Sequence, residues 1–191
     1  IKKLRSSDRK ERKAAENVEK HPEDFILICM YLLYCAPVVA LPLGGNYTSA
    51  IRKAIEECLF TFSEKAKEKG IVIHLNEIDG EYFINADHTS FVNSVLNNFV
   101  SNAIKFSTRG SEVTLSVRNS TRFIEIDICD AGVGIPLNIQ ESLFDPAKQT
   151  SRRGTDDEEG TGFGLPLAMT YMLLYQGKIE IQSKTPEDFP G

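Results

Sequence analysis

One amphipathic helix, predicted over residues 87–107, limits what this chain can fold into more than any other feature. Its apolar residues recur at three- and four-residue steps and form a stripe that needs a core to pack against. Asn98, Asn102 and Lys105 follow one edge of this helix at positions i, i+4 and i+7. The stripe consists of Phe91, Val92, Val95, Leu96, Phe99, Val100, Ala103 and Ile104. A buried helix with two amides and a cation along one edge is expected to serve a binding site as well as a core.

The other periodic segments predict an α/β protein. A helical stripe covers residues 51–70, and two alternating segments form a hairpin around Asn119 and Ser120. A last helix covers residues 165–175, and the segments IVIHL, EYFIN and GKIEIQS have the composition of strands. The simplest fold for this order is a two-layer sandwich, with helices on one face of a mixed β-sheet. One more strand is expected beyond residue 191.

The first 45 residues are expected to form a helical segment that precedes a main domain at residues 46–191. The charged residues 6–20 and the apolar residues 24–36 each have a helical pattern. Residues 25–43 carry no charge over 19 positions, which is long enough to cross a bilayer, but they contain two prolines. Packing against another helix or a dimer partner is therefore favoured over a membrane contact.

The amino-acid composition argues against two classes of function, general nucleic-acid binding and zinc binding. The 191 residues carry a net charge of −5, and 41% of them are apolar. The chain can therefore form a substantial core, and its acidic balance argues against general nucleic-acid binding. The four cysteines form no CxxC pair and the three histidines are scattered, which argues against zinc and for reduced thiols in the cytoplasm.

The second strand of the hairpin ends in the segment DICDAGVGIP. Asp130 follows a run of apolar residues, so its carboxylate is expected to be half-buried and to need a hydrogen-bond donor. Gly132 and Gly134 leave room for a flat ligand beside the backbone. Because Asp and Gly are also common turn residues, an ordinary turn is an equally good interpretation of this segment alone.

A second glycine cluster, EGTGFGLP, opens the last helix. Gly160, Gly162 and Gly164 precede or begin its first turn, where free N–H groups and the helix dipole favour an anion. The cluster is not a P-loop, because it lacks the GxxxxGK[ST] pattern.

The polar residues 144–159 lie between the two glycine clusters and are expected to be mobile. One interpretation is a disordered surface loop. The other is a lid that closes over a ligand, with Lys148, Arg152 or Arg153 reaching phosphate groups.

Together the helix edge, the Asp130 segment, the lid and the glycine-rich helix start predict a binding site for a nucleoside triphosphate. Amide oxygens can ligate Mg²⁺, which takes the rest of its shell from waters and phosphates. Lys105 can neutralise phosphate charge.

Four motifs in this order resemble the catalytic, ATP-binding domain of sensor histidine kinases. NNFVSNAIKFS is similar to the asparagine box of that family, DAGVGI to the first glycine box, LFDP to the phenylalanine box and GTGFGL to the second glycine box. The resemblance runs from about residue 47 to the end. It implies the Bergerat fold of gyrase and the mismatch-repair ATPases, with ATP and Mg²⁺ bound. It also implies transfer of the γ-phosphoryl group to a histidine, and from there to the receiver domain of a response regulator.

The resemblance also implies residue roles. Asn102 would ligate Mg²⁺ and act in catalysis together with Lys105, and Asn98 and Lys105 would contact the phosphates. Asp130 would accept a hydrogen bond from the adenine amino group. Further nucleotide contacts are implied for Gly132, Gly134, Ile135, Phe144, Arg152, Arg153, Gly160, Thr161, Gly162, Phe163, Gly164 and Leu165.

The sequence departs from this family at two places. Ser94 stands four residues before Asn98, where the family usually has Glu or Gln, which argues against efficient activation of water. The phosphate-accepting histidine has no good match, because His21 lies in KHPEDF. Residues 1–45 are then a divergent or truncated form of the family's dimerisation hairpin, and a homodimer through these N-terminal helices is expected.

Two other functions remain open from the sequence. A degenerate module would keep the fold and act as an ATP-binding adaptor or a phosphotransfer scaffold that docks a response regulator. An anti-sigma-type serine kinase would use the same fold on a protein serine. The intact asparagine and glycine boxes favour ATP binding and the histidine kinase.

Overall fold

The elements of the fold come from a computed structural model, which describes residues 25–33, 48–120, 123–140, 142–148 and 152–184. The strands are β1 (Phe25–Leu33), β2 (Thr48–Ala50), β3 (Val72–Leu75), β4 (Phe83–Asn85), β5 (Glu112–Asn119), β6 (Phe123–Asp130) and β7 (Lys178–Lys184). The helices are α1 (Ile51–Glu68), α2 (His88–Ser90), a π-helical turn (Phe91–Leu96), α3 (Asn97–Phe106), α4 (Leu137–Gln140) and α5 (Gly164–Leu174).

Five of the described strands form one mixed sheet in the order β3-β5-β6-β1-β7. Within it β3 and β5 pair in parallel, and the other described pairs are antiparallel. Alternate residues of β5 and β6 point into the core, among them Leu115, Ile126 and Ile128, each 0% exposed. They form one cluster with residues of α1, α3 and α5. The predicted α/β sandwich is confirmed, and so are the hairpin, the helix that ends before Gly70 and the last helix and strand.

The predicted helix over residues 24–36 is wrong, because Phe25–Leu33 forms strand β1 in the interior of the sheet. It pairs antiparallel with β6 on one side and with β7 on the other. Ile28, Met30 and Leu32 alternate into the core, each at most 5% exposed. A short continuous apolar run fits either a strand or a segment of a buried helix, and periodicity alone cannot tell the two apart. Residues 6–20 lie outside the described ranges.

The helix predicted over residues 87–107 is confirmed, with one irregularity. Asp87 caps its start by accepting a hydrogen bond from the backbone N–H of Ser90 at 2.8 Å. The π-helical turn follows and buries Phe91 and Val95 completely. Such turns interrupt helices at functional sites more often than elsewhere, and this one directly precedes the asparagine edge of α3.

His88 ties two other elements to the start of this helix. Its Nδ1 lies 2.9 Å from the Ser49 hydroxyl in β2, and its Nε2 lies 2.9 Å from a carboxylate oxygen of Glu57 in α1. Ser49 is 0% exposed, so no substrate can reach its hydroxyl. The three residues therefore hold β2, α1 and α2 together.

Two described cysteines, Cys58 and Cys129, are free thiols. Burial raises the pKa of each thiol to about 12, so neither is a thiolate at neutral pH. None of the helices in the described ranges has both the length and the apolar content needed to cross a membrane.

Candidate functional site

A cavity of about 240 Å³ opens between the polar edge of α3, the segment after β6 and the start of α5. It brings together parts of the chain that are up to 137 residues apart, from Ile28 to Leu165. The predicted residues that line it are Asn98, Asn102, Lys105, Asp130, Gly134, Ile135, Arg152, Gly160, Thr161, Gly162, Gly164 and Leu165.

Gly132 lies behind the cavity wall and fixes how closely two of these segments approach. The backbone N–H of Val133 donates to the carbonyl of Phe106 at 3.2 Å, which joins the segment after β6 to the end of α3. A Cβ atom at residue 132 would lie 2.5 Å from that carbonyl oxygen and 2.6 Å from Oδ1 of Asp130. Only glycine fits here, so its contribution is to bring Asp130 next to the asparagine helix.

Four other predicted residues do not line the cavity: Phe144, Lys148, Arg153 and Phe163. Phe144 is partly buried and packs against the hydrophobic core, and Lys148 is exposed. The Arg153 side chain is 68% exposed and lies 3.5 Å from Asp157, and Phe163 is 61% exposed. The nucleotide contacts predicted for these residues stay predictions.

Asp130 combines deep burial with an open hydrogen-bonding position. The residue is 3% exposed, and its Oδ1 accepts no hydrogen bond from the described part of the chain. Burial raises the pKa of the carboxyl group to about 8, against the opposing effect of the backbone N–H of Gly132. A ligand that donates a hydrogen bond to this oxygen would remove the cost of burying it.

The raised pKa of Asp130 predicts that the ligand-free protein becomes less stable as pH rises. The folded chain keeps a proton on this carboxyl up to about pH 8, whereas the unfolded chain releases it near the ordinary value of 3.8. The stabilisation of the folded state that depends on the protonated Asp130 carboxyl group is therefore present at low pH and is lost as pH rises towards 8. We expect the free energy of unfolding in urea to fall by roughly 3 kcal/mol between pH 5.5 and 8, relative to Asp130→Asn. Parallel pH profiles for the two proteins would contradict the raised pKa.

The asparagine edge of α3 faces the start of α5. Asn98 donates its amide N–H to the carbonyl of Ser94 at 2.8 Å, which fixes the orientation of the side chain. A Cβ atom at Gly164 would lie 2.4 Å from Oδ1 of Asn98, so α5 begins in close contact with this amide. Asn102 is half-buried one turn further along, on the cavity wall.

Lys105 brings a largely buried ammonium group to the same wall. The residue is 7% exposed, and its Nζ donates to the carbonyl of Arg152 at 2.9 Å and lies 5.0 Å from the centre of the Phe106 ring. Burial lowers the pKa of Lys105, Glu158 raises it, and the neighbouring Lys65 and Lys69 lower it further. The energetic cost of this burial and of the cation cluster favours an anionic ligand beside Lys105.

Residues 152–160, called the docked loop below, pack against the protein although a mobile segment was expected. Arg152 donates to the carbonyl of Gly134 at 3.3 Å, across the cavity. The Thr155 hydroxyl donates to the carbonyl of Ser107 at 2.6 Å, and Asp156 lies 2.7 Å from Arg109. Asp156 therefore has a cationic partner on another part of the chain, which composition alone could not indicate.

The sequence did not predict several residues of the cavity wall. Ile28 comes from strand β1, which was expected to be a helix, and Lys65 is an exposed residue of α1. Ile139 lies between two recognised motifs, and Leu143 is the first residue of the LFDP motif, although no nucleotide contact was predicted for it. The remaining lining residues are Ser101, Ala103, Phe106 and Glu159.

The residues that line the cavity suit different parts of one ligand. The apolar side chains of Ile28, Ile135 and Ile139 line it together with the buried acceptor Asp130. Lys105, Arg152 and the start of α5 also line it. This arrangement suits a flat ring that carries a hydrogen-bond donor and is joined to an anionic tail.

Known proteins of one family share this sequence pattern. Residues 87–189 match the family described as histidine kinase-, DNA gyrase B- and HSP90-like ATPases. An uncharacterised sensor-like histidine kinase of Rhizobium meliloti is 32% identical over 137 residues, which are 72% of this chain and 26% of that protein. Histidine protein kinase DivJ of Caulobacter vibrioides is 31% identical over 134 residues, which are 70% of this chain and 22% of that protein. The chain spans about a quarter of the length of these relatives.

Solved structures share the fold at low sequence identity. The mycobacterial sensor histidine kinase MprB aligns with a TM-score of 0.57 and 16% identity, over 73% of this chain and 97% of that chain. The catalytic domain of histidine kinase ThkA aligns with a TM-score of 0.57 and 24% identity, over 74% and 97%. ThkA in complex with the response regulator protein TrrA aligns with a TM-score of 0.54 and 18% identity, over 74% and 42%. These likenesses confirm the predicted Bergerat-type fold.

Proposed function

Because the chain belongs to the family of histidine kinase-, DNA gyrase B- and HSP90-like ATPases, we propose that it is the Mg-ATP-binding catalytic domain of a sensor histidine kinase. The observation that carries this proposal is the buried oxygen Oδ1 of Asp130, which accepts no hydrogen bond from the described residues, in a cavity that Lys105 and Arg152 also line. The adenine amino group supplies the missing donor, and the triphosphate extends towards the two cations.

The proposed roles of the other residues follow from their positions. Lys105 exchanges its hydrogen bond to the Arg152 carbonyl for one to a phosphate oxygen. The N–H groups at the start of α5, from Gly162 to Leu165, face the phosphates. Asn102, with Asn98 beside it, would hold Mg²⁺ through its amide oxygen, and the ion would supply charge neutralisation at the phosphates. Phosphoryl transfer then requires mainly the positioning and charge neutralisation that these groups provide.

The remaining parts of the proposal concern the full-length protein. Its acceptor is a histidine, and its partner is the receiver domain of a response regulator, as the complex of ThkA with TrrA suggests for that kinase. A homodimer through the N-terminal residues and a cytoplasmic site of action complete the proposal. His21 and residues 34–45 lie outside the described ranges.

The experiment that tests the proposed activity uses the full-length protein and radiolabelled ATP. We expect a protein-bound label that is lost in acid and retained in alkali, as for phosphohistidine, and that is absent from the Asn102→Ala variant. An acid-stable label would identify a serine kinase instead, and bound ATP without any label would identify an adaptor.

A further inference from the structure

Lys69, directly after helix α1, is charged but almost completely buried. Its side chain is 4% exposed. Its Nζ donates to the carbonyl of Lys105 at 2.7 Å and to Oε1 of Glu158 at 2.9 Å. An ammonium group at this depth requires such partners, because removing it from water is costly. Lys69 therefore joins the end of α1, the end of α3 and the docked loop.

Both carboxylate oxygens of Glu158 accept hydrogen bonds. Oε1 accepts from Lys69, and Oε2 accepts from the backbone N–H of Asp156 at 2.9 Å. Burial raises the pKa of Glu158, but the hydrogen bonds from Lys69 and Asp156 outweigh it and hold the pKa below the usual range. The partner of Lys69 is therefore a carboxylate at neutral pH.

The docked loop fixes Lys105 at both its main chain and its side chain. The Lys105 carbonyl, in the last turn of α3, accepts from Lys69 and from the backbone N–H of Thr155 at 3.1 Å. The Lys105 ammonium group donates to the Arg152 carbonyl. Gly154 has no room for a side chain, since a Cβ atom there would lie 2.6 Å from Cγ of Lys105 and 2.2 Å from Oε2 of Glu158. The loop thus sits directly on the residue proposed to bind phosphate.

We propose that Lys69 and Glu158 are positioning residues. Their ion pair holds the docked loop against the end of α3, and it thereby keeps Lys105 and Arg152 where the phosphates are proposed to bind. Neither residue belongs to the four motifs that carry the family resemblance. The inference rests on the proposed function, because it assigns the Lys69–Glu158 ion pair a role in binding the phosphates of ATP.

Two variants and a matched control test this role. Lys69→Met removes the charge and keeps the length of the side chain, whereas Glu158→Gln removes the charge from the other partner and keeps its shape. Lys67→Met is the control, since Lys67 is an exposed lysine near the same end of α1. Should Lys69→Met fail to fold, Glu158→Gln carries the test, because its side chain is 22% exposed.

The first measurement is the ratio of the affinities for Mg-ATP and adenosine, determined by isothermal titration. We expect both variants to bind Mg-ATP about fivefold more weakly or worse while adenosine binding changes less than about twofold, since preorganisation is lost only at the phosphates. A general loss of stability would affect both ligands alike, so the ratio separates positioning from folding.

The second measurement is the rate of tryptic cleavage after Arg153 in the absence of nucleotide. Loss of the ion pair is expected to increase this rate at least about fivefold in both variants, because local opening of the docked loop becomes easier. The rate in the Lys67→Met control is expected to stay unchanged. Binding ratios and cleavage rates equal to those of the wild type would overturn the positioning role alone. Failure of the wild-type protein to bind Mg-ATP would overturn the proposed function and this role together.

Discussion

Replacement of Asp130 by Asn is expected to weaken Mg-ATP binding at least about tenfold, which corresponds to about 1.4 kcal/mol. The carboxylate offers a buried, charged acceptor to the adenine amino group, and hydrogen bonds to charged groups contribute more than neutral ones. Isothermal titration at pH 8.5 gives the clearest comparison, because burial raises the pKa of Asp130 to about 8 and the group is mostly ionised above that pH.

The control for this variant is Asp79→Asn. Asp79 is exposed and accepts a hydrogen bond from the Tyr82 hydroxyl, which an asparagine oxygen can also accept. It does not line the cavity. Equal affinities of the wild type and Asp130→Asn would remove Asp130 from the adenine site. GTP provides a second comparison, since guanine presents a carbonyl oxygen to Asp130 and should lose roughly 1–3 kcal/mol of binding free energy.

Replacement of Asn102 by Ala is expected to have the largest effect on activity, with at least about a hundredfold loss of phosphoryl transfer, because positioning and charge neutralisation supply most of the catalysis in this reaction class. Asn102 is half-buried on the cavity wall, so truncation leaves the core residues of α3 in place. The rate of label incorporation from radiolabelled ATP into the full-length protein measures the loss.

The magnesium dependence of ATP binding separates a lost metal ligand from a damaged helix. In the wild type, removal of Mg²⁺ with a chelator should weaken ATP binding, whereas Asn102→Ala should bind ATP with nearly the same affinity with and without Mg²⁺. Adenosine affinity should not change in this variant. Asn93→Ala, an exposed asparagine of the π-helical turn before α3, is the control. A full magnesium effect in Asn102→Ala would assign the metal to another group.

The parts of the fold that periodicity specifies were predictable from the sequence. The stripe from Phe91 to Ile104 indicated a buried helix, and the alternating residues of β5 and β6 indicated a hairpin. Strand β1 was not predictable, because its residues are all apolar and carry no alternation that would distinguish a strand from a buried helix. The position of β1 between β6 and β7 is a long-range property that no local pattern encodes.

The candidate site was likewise predictable from the sequence only in part. Asn98, Asn102 and Asp130 were identified because their residue types and spacing are unusual for a core helix and a turn, and each of them lines the cavity. Their roles in binding remain predictions. The docked loop was expected to be mobile, because Lys69 and Arg109, the partners of Glu158 and Asp156, are distant in sequence and do not show in its composition. Charge pairing across elements depends on the tertiary fold, so composition could not predict these ion pairs.

The most direct test of the proposed site is a crystal structure of the protein with Mg²⁺ and a nonhydrolysable ATP analogue. The predicted result places the adenine amino nitrogen within about 3.2 Å of an Asp130 carboxylate oxygen, with the phosphates beside Lys105 and the start of α5. A nucleotide bound elsewhere, or a cavity that stays filled by the protein's own side chains, would contradict the account.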